Sequence, residues 1–312
     1  MLLNALHAAG ALVLLCIGGD LLVRGASALA ERLGVSALAI GLTVVAFGTS
    51  APELAVSLDA ARAGATDISI GNVVGSNTAN IALILGLALL FRPVTVQAQI
   101  VKLDAPLLLA ATVVFVALLM TGGLGTVDGL ILVSVLAGYT VFTFRKARLD
   151  PAQAEFVEAT PTTPSSLGVS IALTLGGLLL LIGGGRWLVA AAVDLATALG
   201  VSNAVIGLTI VALGTSLPEL ATSVVATARG KGDIAIGGII GSNLFNLLGI
   251  AAVTAVFYPL SPQRVLWIDV GVMLALTVAL MLVILRRRPL GRGIGIAFVT
   301  TFVAYSTYLF LR

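Results

Sequence analysis

"VVAFGTSAPELAVS", from Val44 to Ser57, sets a Gly-Thr-Ser cluster, a proline and a glutamate inside an apolar run, and "VALGTSLPELATS", from Val211 to Ser223, does so again. Each glutamate, Glu53 and Glu219, directly follows a helix-breaking proline. The surroundings make that placement costly. Only 10% of the 312 residues are charged, 59% are hydrophobic, and mean hydropathy is +1.15. Apolar stretches of 18 or more residues recur along the chain, whereas a soluble domain of this size needs a more charged surface. The composition therefore predicts an all-α polytopic membrane protein. A β-barrel would show short alternating segments, and none are present. The lone Cys16 excludes a disulfide framework. No cleavable signal pattern precedes the first apolar segment, which reads as a span. No basic tail or aromatic-basic patch suggests nucleic acid.

A hydropathy reading predicts ten spans, near 5–30, 36–62, 68–91, 104–121, 126–146, 167–197, 202–228, 233–258, 265–285 and 293–311. The one sizeable polar stretch, "ARLDPAQAEFVEATPTTPSS" from Ala147 to Ser166, has the prolines, acids and small polar residues of a solvated linker. It divides the chain into an N-terminal five-helix repeat, 1–146, a cytoplasmic linker, 147–166, and a C-terminal five-helix repeat, 167–312. The halves are copies. A shift of 166 positions lays Gly34–Asn80 on Gly200–Asn246 without a gap, with 27 of 47 positions identical, polar ones included.

Five is odd, so the second copy enters the membrane from the opposite side. With both termini on one face, that face collects three basic residues and the other twelve. The positive-inside rule then puts the termini outside the cytoplasm and the linker inside, in a multi-pass protein of the inner (plasma) membrane. Inverted repeats that each carry a polar interruption point to a secondary transporter, with its site where the repeats meet.

A carboxylate near the bilayer centre costs roughly 2.5–3.5 kcal/mol, so the two glutamates need compensation. Pro52 lacks an N–H for the Gly48 carbonyl, and Pro218 does the same to Gly214. Local unwinding is expected to bare carbonyls such as those of Ala46 and Thr49. Thr49 and Ser50 precede Glu53 by four and three residues, so all three share a helix face, as do Thr215, Ser216 and Glu219. The third and eighth spans add Ser76 with Asn80 in "GNVVGSNTANI" and Ser242 with Asn246 in "GGIIGSNLFNL". Asn77 and Asn243 are assigned to the backbone break. Carboxylates, hydroxyls, amides and carbonyls form an all-oxygen set for hard cations; with no His or Cys cluster, softer metals are disfavoured. A proline alone in a membrane helix marks only a kink; matched glutamates in two inverted copies are not explained by packing. Asp67, Asp128 and Asp233 are read as N-caps, and Asp20 with Arg24 as an ion pair.

At these motifs the chain resembles the cation/calcium exchanger superfamily, in its prokaryotic sodium/calcium exchanger branch. The resemblance rests on "GTSAPE" with "GSNTAN" and "GTSLPE" with "GSNLFN". It implies an antiporter in which entering sodium drives calcium out by alternating access, with calcium and sodium as transported ions and no cofactor. It implies Glu53 and Glu219 as central metal ligands, with Thr49 and Thr215 supplying oxygens and Ser50 and Ser216 beside them. Ala46 with Ser76, and Ala212 with Ser242, would complete flanking sodium sites, and Asn80 and Asn246 would face the middle. The first and sixth spans would slide across the core. An amide at Asn246, where potassium-dependent relatives carry an aspartate, leaves two formal charges and implies electrogenic, potassium-independent exchange. The alternatives are a calcium/proton antiporter, whose extra acid in a Gly-Asn-x-x-Glu arrangement is missing here, and a passive cation channel. The partners are these ions and the lipid bilayer; oligomeric state is left open, a monomer being compatible.

Overall fold

Two helices of 32 residues, α1 (Leu2–Leu33) and α7 (Leu167–Ala198), lie against each other along most of their length in the computed structural model. Residues 2–149, 166–198, 212–263 and 267–311 are described. Contacts along the pair run in opposite senses. Gly10 meets Trp187, Gly18 meets Leu181 and the Gly177 carbonyl, and Gly25 meets Thr174, so the helices are antiparallel. Glycine is required at this seam because backbone stands where a Cβ would go. Small residues that admit such an approach are a common means of joining helices in lipid, where apolar side chains gain little by leaving the solvent.

Besides a single turn at Ala212–Gly214, the remaining described helices are α2 (Ala37–Thr49), α3 (Ala51–Arg62), α4 (Thr66–Phe91), α5 (Ile100–Met120), α6 (Thr126–Leu149), α8 (Leu217–Ala228), α9 (Gly232–Phe257), α10 (Trp267–Leu285) and α11 (Arg292–Leu311). Among the described residues there is no sheet, only two isolated backbone pairings, Val94 with Leu290 and Leu124 with Leu260. The fold is all-helical. Among the described residues, seven helices are long and apolar enough to cross a membrane, eight if α2 and α3, bent by 45°, count as one span. Upstream of α8, residues 202–211 of the expected seventh span lie outside the described residues, as does most of the expected linker; α6 runs on through Leu149, past the boundary expected at 146.

Burial sorts the helices. The most apolar windows of α4 and α9 are 78% and 83% buried, against 33% and 28% for α1 and α7, so α4 and α9 are central. Both carry the Gly-Ser-Asn motif. Gly237 and Gly241 of α9 admit Leu38 and Leu42 of α2, bringing the first acid-bearing segment onto the second copy's central helix. Outward-facing Leu12, Val13, Ile131, Leu179, Ile268 and Leu282 give the surface its apolar character.

The polar contacts outside the centre are ties. Tyr139 Oη donates to Asp104 Oδ1 (2.9 Å), joining α5 to α6, and Tyr305 Oη donates to Asp269 Oδ1 (3.0 Å), joining α10 to α11. Asp20 pairs with Arg24 (2.9 Å), as expected, and also with Arg229 just beyond α8. The N-cap assignments need correction. Asp67 lies inside the first turn of α4 and accepts from the Gln263 N–H (2.9 Å), while Asp233 lies inside the first turn of α9. Asp128 accepts from the Gly125 N–H (2.9 Å), filling the third-residue half of a capping box.

Gly177→Leu should break the α1–α7 seam, because its side chain would fall on the backbone of Gly18 and Leu22. A melting temperature lower by roughly 2–8 °C is expected, from about 1–3 kcal/mol of overpacking. Gly176→Leu, where a Cβ meets nothing within 4 Å, should leave it unchanged. Thermal unfolding of both variants in detergent makes the comparison.

Candidate cation site

The break between α2 and α3 is one residue long. Ser50, with φ −85° and ψ 8°, leaves the helical region, and Pro52 sits in the first turn of α3, where its missing N–H costs nothing. Before α8 the break spans Thr215 and Ser216, the latter with φ −88° and ψ 6°, and Pro218 sits in the first turn of α8. The break is tighter than the sequence suggested. The Ala46 carbonyl, expected to be bare, accepts the Ser50 N–H at 3.1 Å and has the Thr49 hydroxyl at 3.4 Å, because a single turn residue suffices to start a new helix. Ser216 N–H bonds the Leu213 carbonyl instead (3.2 Å). Each glutamate thereby falls in the first turn of a half-helix, Glu53 in α3 and Glu219 in α8, where the N-terminal end of the helix dipole favours negative charge.

The two half-helices point their acids at each other. Ser50 Oγ donates to Glu219 Oε1 (2.9 Å), and Ser216 Oγ donates to Glu53 Oε1 (3.1 Å). Each bond becomes the other under the 166-residue shift. Glu53 and Glu219 are 1% and 4% exposed, and their carboxylates are close enough to repel. Thr215 stands beside Glu53 and Thr49 beside Glu219. The Thr49 hydroxyl sends its proton back to the Val45 carbonyl (3.1 Å), which leaves oxygen lone pairs for another partner.

Short π-helical turns begin at Asn80 in α4 and at Asn246 in α9. Such turns often mark functional positions, since the extra residue re-aims a side chain. Asn80 Nδ2 donates to Asn243 Oδ1 and Asn246 Nδ2 to Asn77 Oδ1, both at 3.2 Å, again exchanging under the shift. Asn77 and Asn243 therefore orient the inner amides and do not serve the backbone break. Asn72, which sequence reading passed over, donates from Nδ2 to the Glu53 carbonyl (3.0 Å) and to Ser57 Oγ (2.9 Å). Ser76 and Ser242 are buried on the same two helices, and nothing is described of the Ala212 side chain.

Among the described residues of this centre, four buried acceptors lack a donor: Glu53 Oε2, Glu219 Oε2, Asn80 Oδ1 and Asn246 Oδ1. The Ser242 hydroxyl is also unpartnered. Buried acceptors without donors are expensive, and two buried like charges more so. A hard cation answers both costs, since it takes several oxygens and offsets the charge. Among the described residues no group of three or more His, Cys, Asp or Glu gathers, so the donors beside the two acids are neutral oxygens.

The description "Sodium/calcium exchanger protein" belongs to the family whose pattern this chain matches over residues 4–145 and 169–311. The chain belongs to the sodium/calcium exchanger family. Inner membrane protein YrbG of Escherichia coli (strain K12) is 36% identical over 310 residues, covering 96% of this chain and 94% of that protein. Sodium/calcium exchanger MaX1 of Methanosarcina acetivorans is 34% identical over 336 residues, covering 96% of each. A solved structure of the sodium-calcium exchanger NCX_Mj, soaked with zero Na+ and Ca2+, superimposes with a TM-score of 0.86 at 31% identity, covering 98% of this chain and 99% of that one. As members of this family are exchangers, the chain is a transporter and not an enzyme.

The like-charge pair gives a stability signature. In calcium-free buffer at pH 8, Glu53→Gln and Glu219→Gln should each unfold at a higher temperature than wild type, by roughly 2–4 °C per kcal/mol of repulsion removed. If calcium binds between the two acids, saturating calcium should reverse the order, because each variant keeps one charged oxygen donor where wild type has two. Thermal unfolding with and without calcium reads both halves of this expectation.

Proposed function

We propose that this protein is a sodium/calcium antiporter that exports calcium on the sodium gradient by alternating access. The observation that carries the reading is the reciprocal pair of serine–glutamate hydrogen bonds, which sets two buried carboxylates face to face with one oxygen of each left without a donor. Glu53 and Glu219 are the shared ligands of calcium and sodium. Thr49, Thr215, Ser50 and Ser216 line the same centre, Asn80 and Asn246 face it, and Ala46 with Ser76 and Ala212 with Ser242 form the flanking sodium sites. Because both ions need the same two charges, they occupy the site in turn, and that competition couples their movements.

The membrane arrangement belongs to the same reading: ten spans in two inverted five-helix repeats, 1–146 and 167–312, a cytoplasmic linker over 147–166, and both termini outside the cytoplasm of the inner membrane. The antiparallel course of α1 and α7, the helices that lead each copy, supports the inversion. Their glycine-lined seam, with low burial against the rest, suits a pair that slides as one body over α4 and α9. With Asn246 an amide, the site holds two formal charges. Calcium neutralises them, and three sodium ions would leave one positive charge in excess, so exchange is electrogenic and needs no potassium.

Proteoliposomes loaded with sodium and diluted into sodium-free buffer with calcium test this. Wild type should accumulate calcium, and Glu53→Gln and Glu219→Gln should each reduce the rate at least about 100-fold while remaining folded, as removal of an ionic ligand in a low-dielectric site costs several kcal/mol. Retained flux in both variants would remove the pair from the mechanism. An inside-positive voltage should slow sodium-driven calcium uptake if two charges enter, or speed it if three sodium ions leave per calcium. The second result is expected, and no voltage effect would reject electrogenic exchange.

A further inference from the structure

The two copies agree at most positions around the site and differ at one that touches a glutamate. The first copy has Asn72 in α4; the second has Gly238 at the corresponding place in α9. Asn72 spends its amide group on α3: Nδ2 donates to the backbone carbonyl of Glu53 itself (3.0 Å) and to the hydroxyl of Ser57, one turn on (2.9 Å). That carbonyl lies in the first turn of α3, immediately after the break at Ser50, where a new helix is held by few bonds of its own. Gly238 has no side chain to offer, and a Cβ there would be in ordinary contact with Val45 at 3.7 Å. In α8 the Thr222 hydroxyl donates to the Pro218 carbonyl (2.7 Å), a tie within one helix.

We propose that Asn72 is a positioning residue for the cation site: its amide pins the first turn of α3 to the central helix α4 and so fixes where the Glu53 carboxylate stands. The proposal rests on the exchange reading above. Asn72 does not touch the ion. It acts through the Glu53 backbone, so its loss alters how well the site is formed before an ion arrives, not the ligand set. Such a loss weakens ground-state binding and leaves turnover of the loaded protein intact, which separates it from removal of a ligand. Both acids accept a serine hydroxyl from the opposite copy, and Glu53 has in addition the tie from Asn72 to its backbone.

The test compares Asn72→Ala with Ser57→Ala in proteoliposomes, measuring calcium KM and kcat of sodium-driven uptake. Asn72→Ala should raise the calcium KM about fivefold, the equivalent of one hydrogen bond, with kcat within about twofold of wild type. Ser57→Ala removes the other acceptor of the same amide and keeps the bond to Glu53, so its KM should stay within about twofold. An unchanged KM in Asn72→Ala, or an equal rise in Ser57→Ala, overturns the proposal, the second because it would mark general packing of α3 on α4. Should Asn72→Ala fail to accumulate, Asn72→Gly carries the residue that the second copy uses, and calcium titration of its melting temperature reads the same affinity without transport. Wild type without sodium-driven uptake would defeat the exchange reading; wild type that exchanges alongside an Asn72→Ala protein of unchanged calcium affinity defeats only the role of Asn72.

Discussion

Two buried carboxylates held within repelling distance, Glu53 and Glu219, are the constraint to which the rest of this structure answers. In a low-dielectric interior neither charge is tolerable without compensation, and each worsens the other's position. The protein supplies part of the compensation itself. Each acid stands in the first turn of a half-helix and accepts one serine hydroxyl from the opposite copy. The compensation stops short: the outer oxygen of each carboxylate and the inner amide oxygens of Asn80 and Asn246 have no donor. The fold thus leaves unfinished a set of interactions of the kind that a hard cation completes.

The bends follow from that need. A continuous helix would give the acids no helix end to sit on. Breaking each helix for one or two residues, with proline just downstream, supplies a fresh N-terminus. Bared backbone in a membrane must be covered by protein, and α4 and α9, the most buried helices, do the covering. Their π-helical turns at Asn80 and Asn246 add the second ring of polar groups.

Much of this was legible in the sequence because the informative signals were local. Proline next to glutamate, with hydroxyls three and four residues ahead, specifies a broken helix with an oxygen-rich face whatever surrounds it, and the second copy supplied the check. What escaped were partners far apart in the chain. Nothing near Asn77 announces Asn246, nor does Asn72 announce the Glu53 carbonyl, because amides pair readily with many groups and the choice is made by helix packing. The ties from Tyr139 to Asp104 and from Arg229 to Asp20 were unread for the same reason. The Ala46 carbonyl shows the opposite error. Proline was taken to unwind more of the backbone than it does, since one turn residue was enough to restart the helix.

The crossed hydrogen bonds have a consequence for how such a chain can change over time. Serine from one copy serves glutamate from the other, and asparagine from one serves asparagine from the other. Neither half contains a working centre, so a substitution in one is felt first by its twin. After gene doubling, most duplicates are free to drift apart; here each of these side chains in one half has its hydrogen-bond partner in the other.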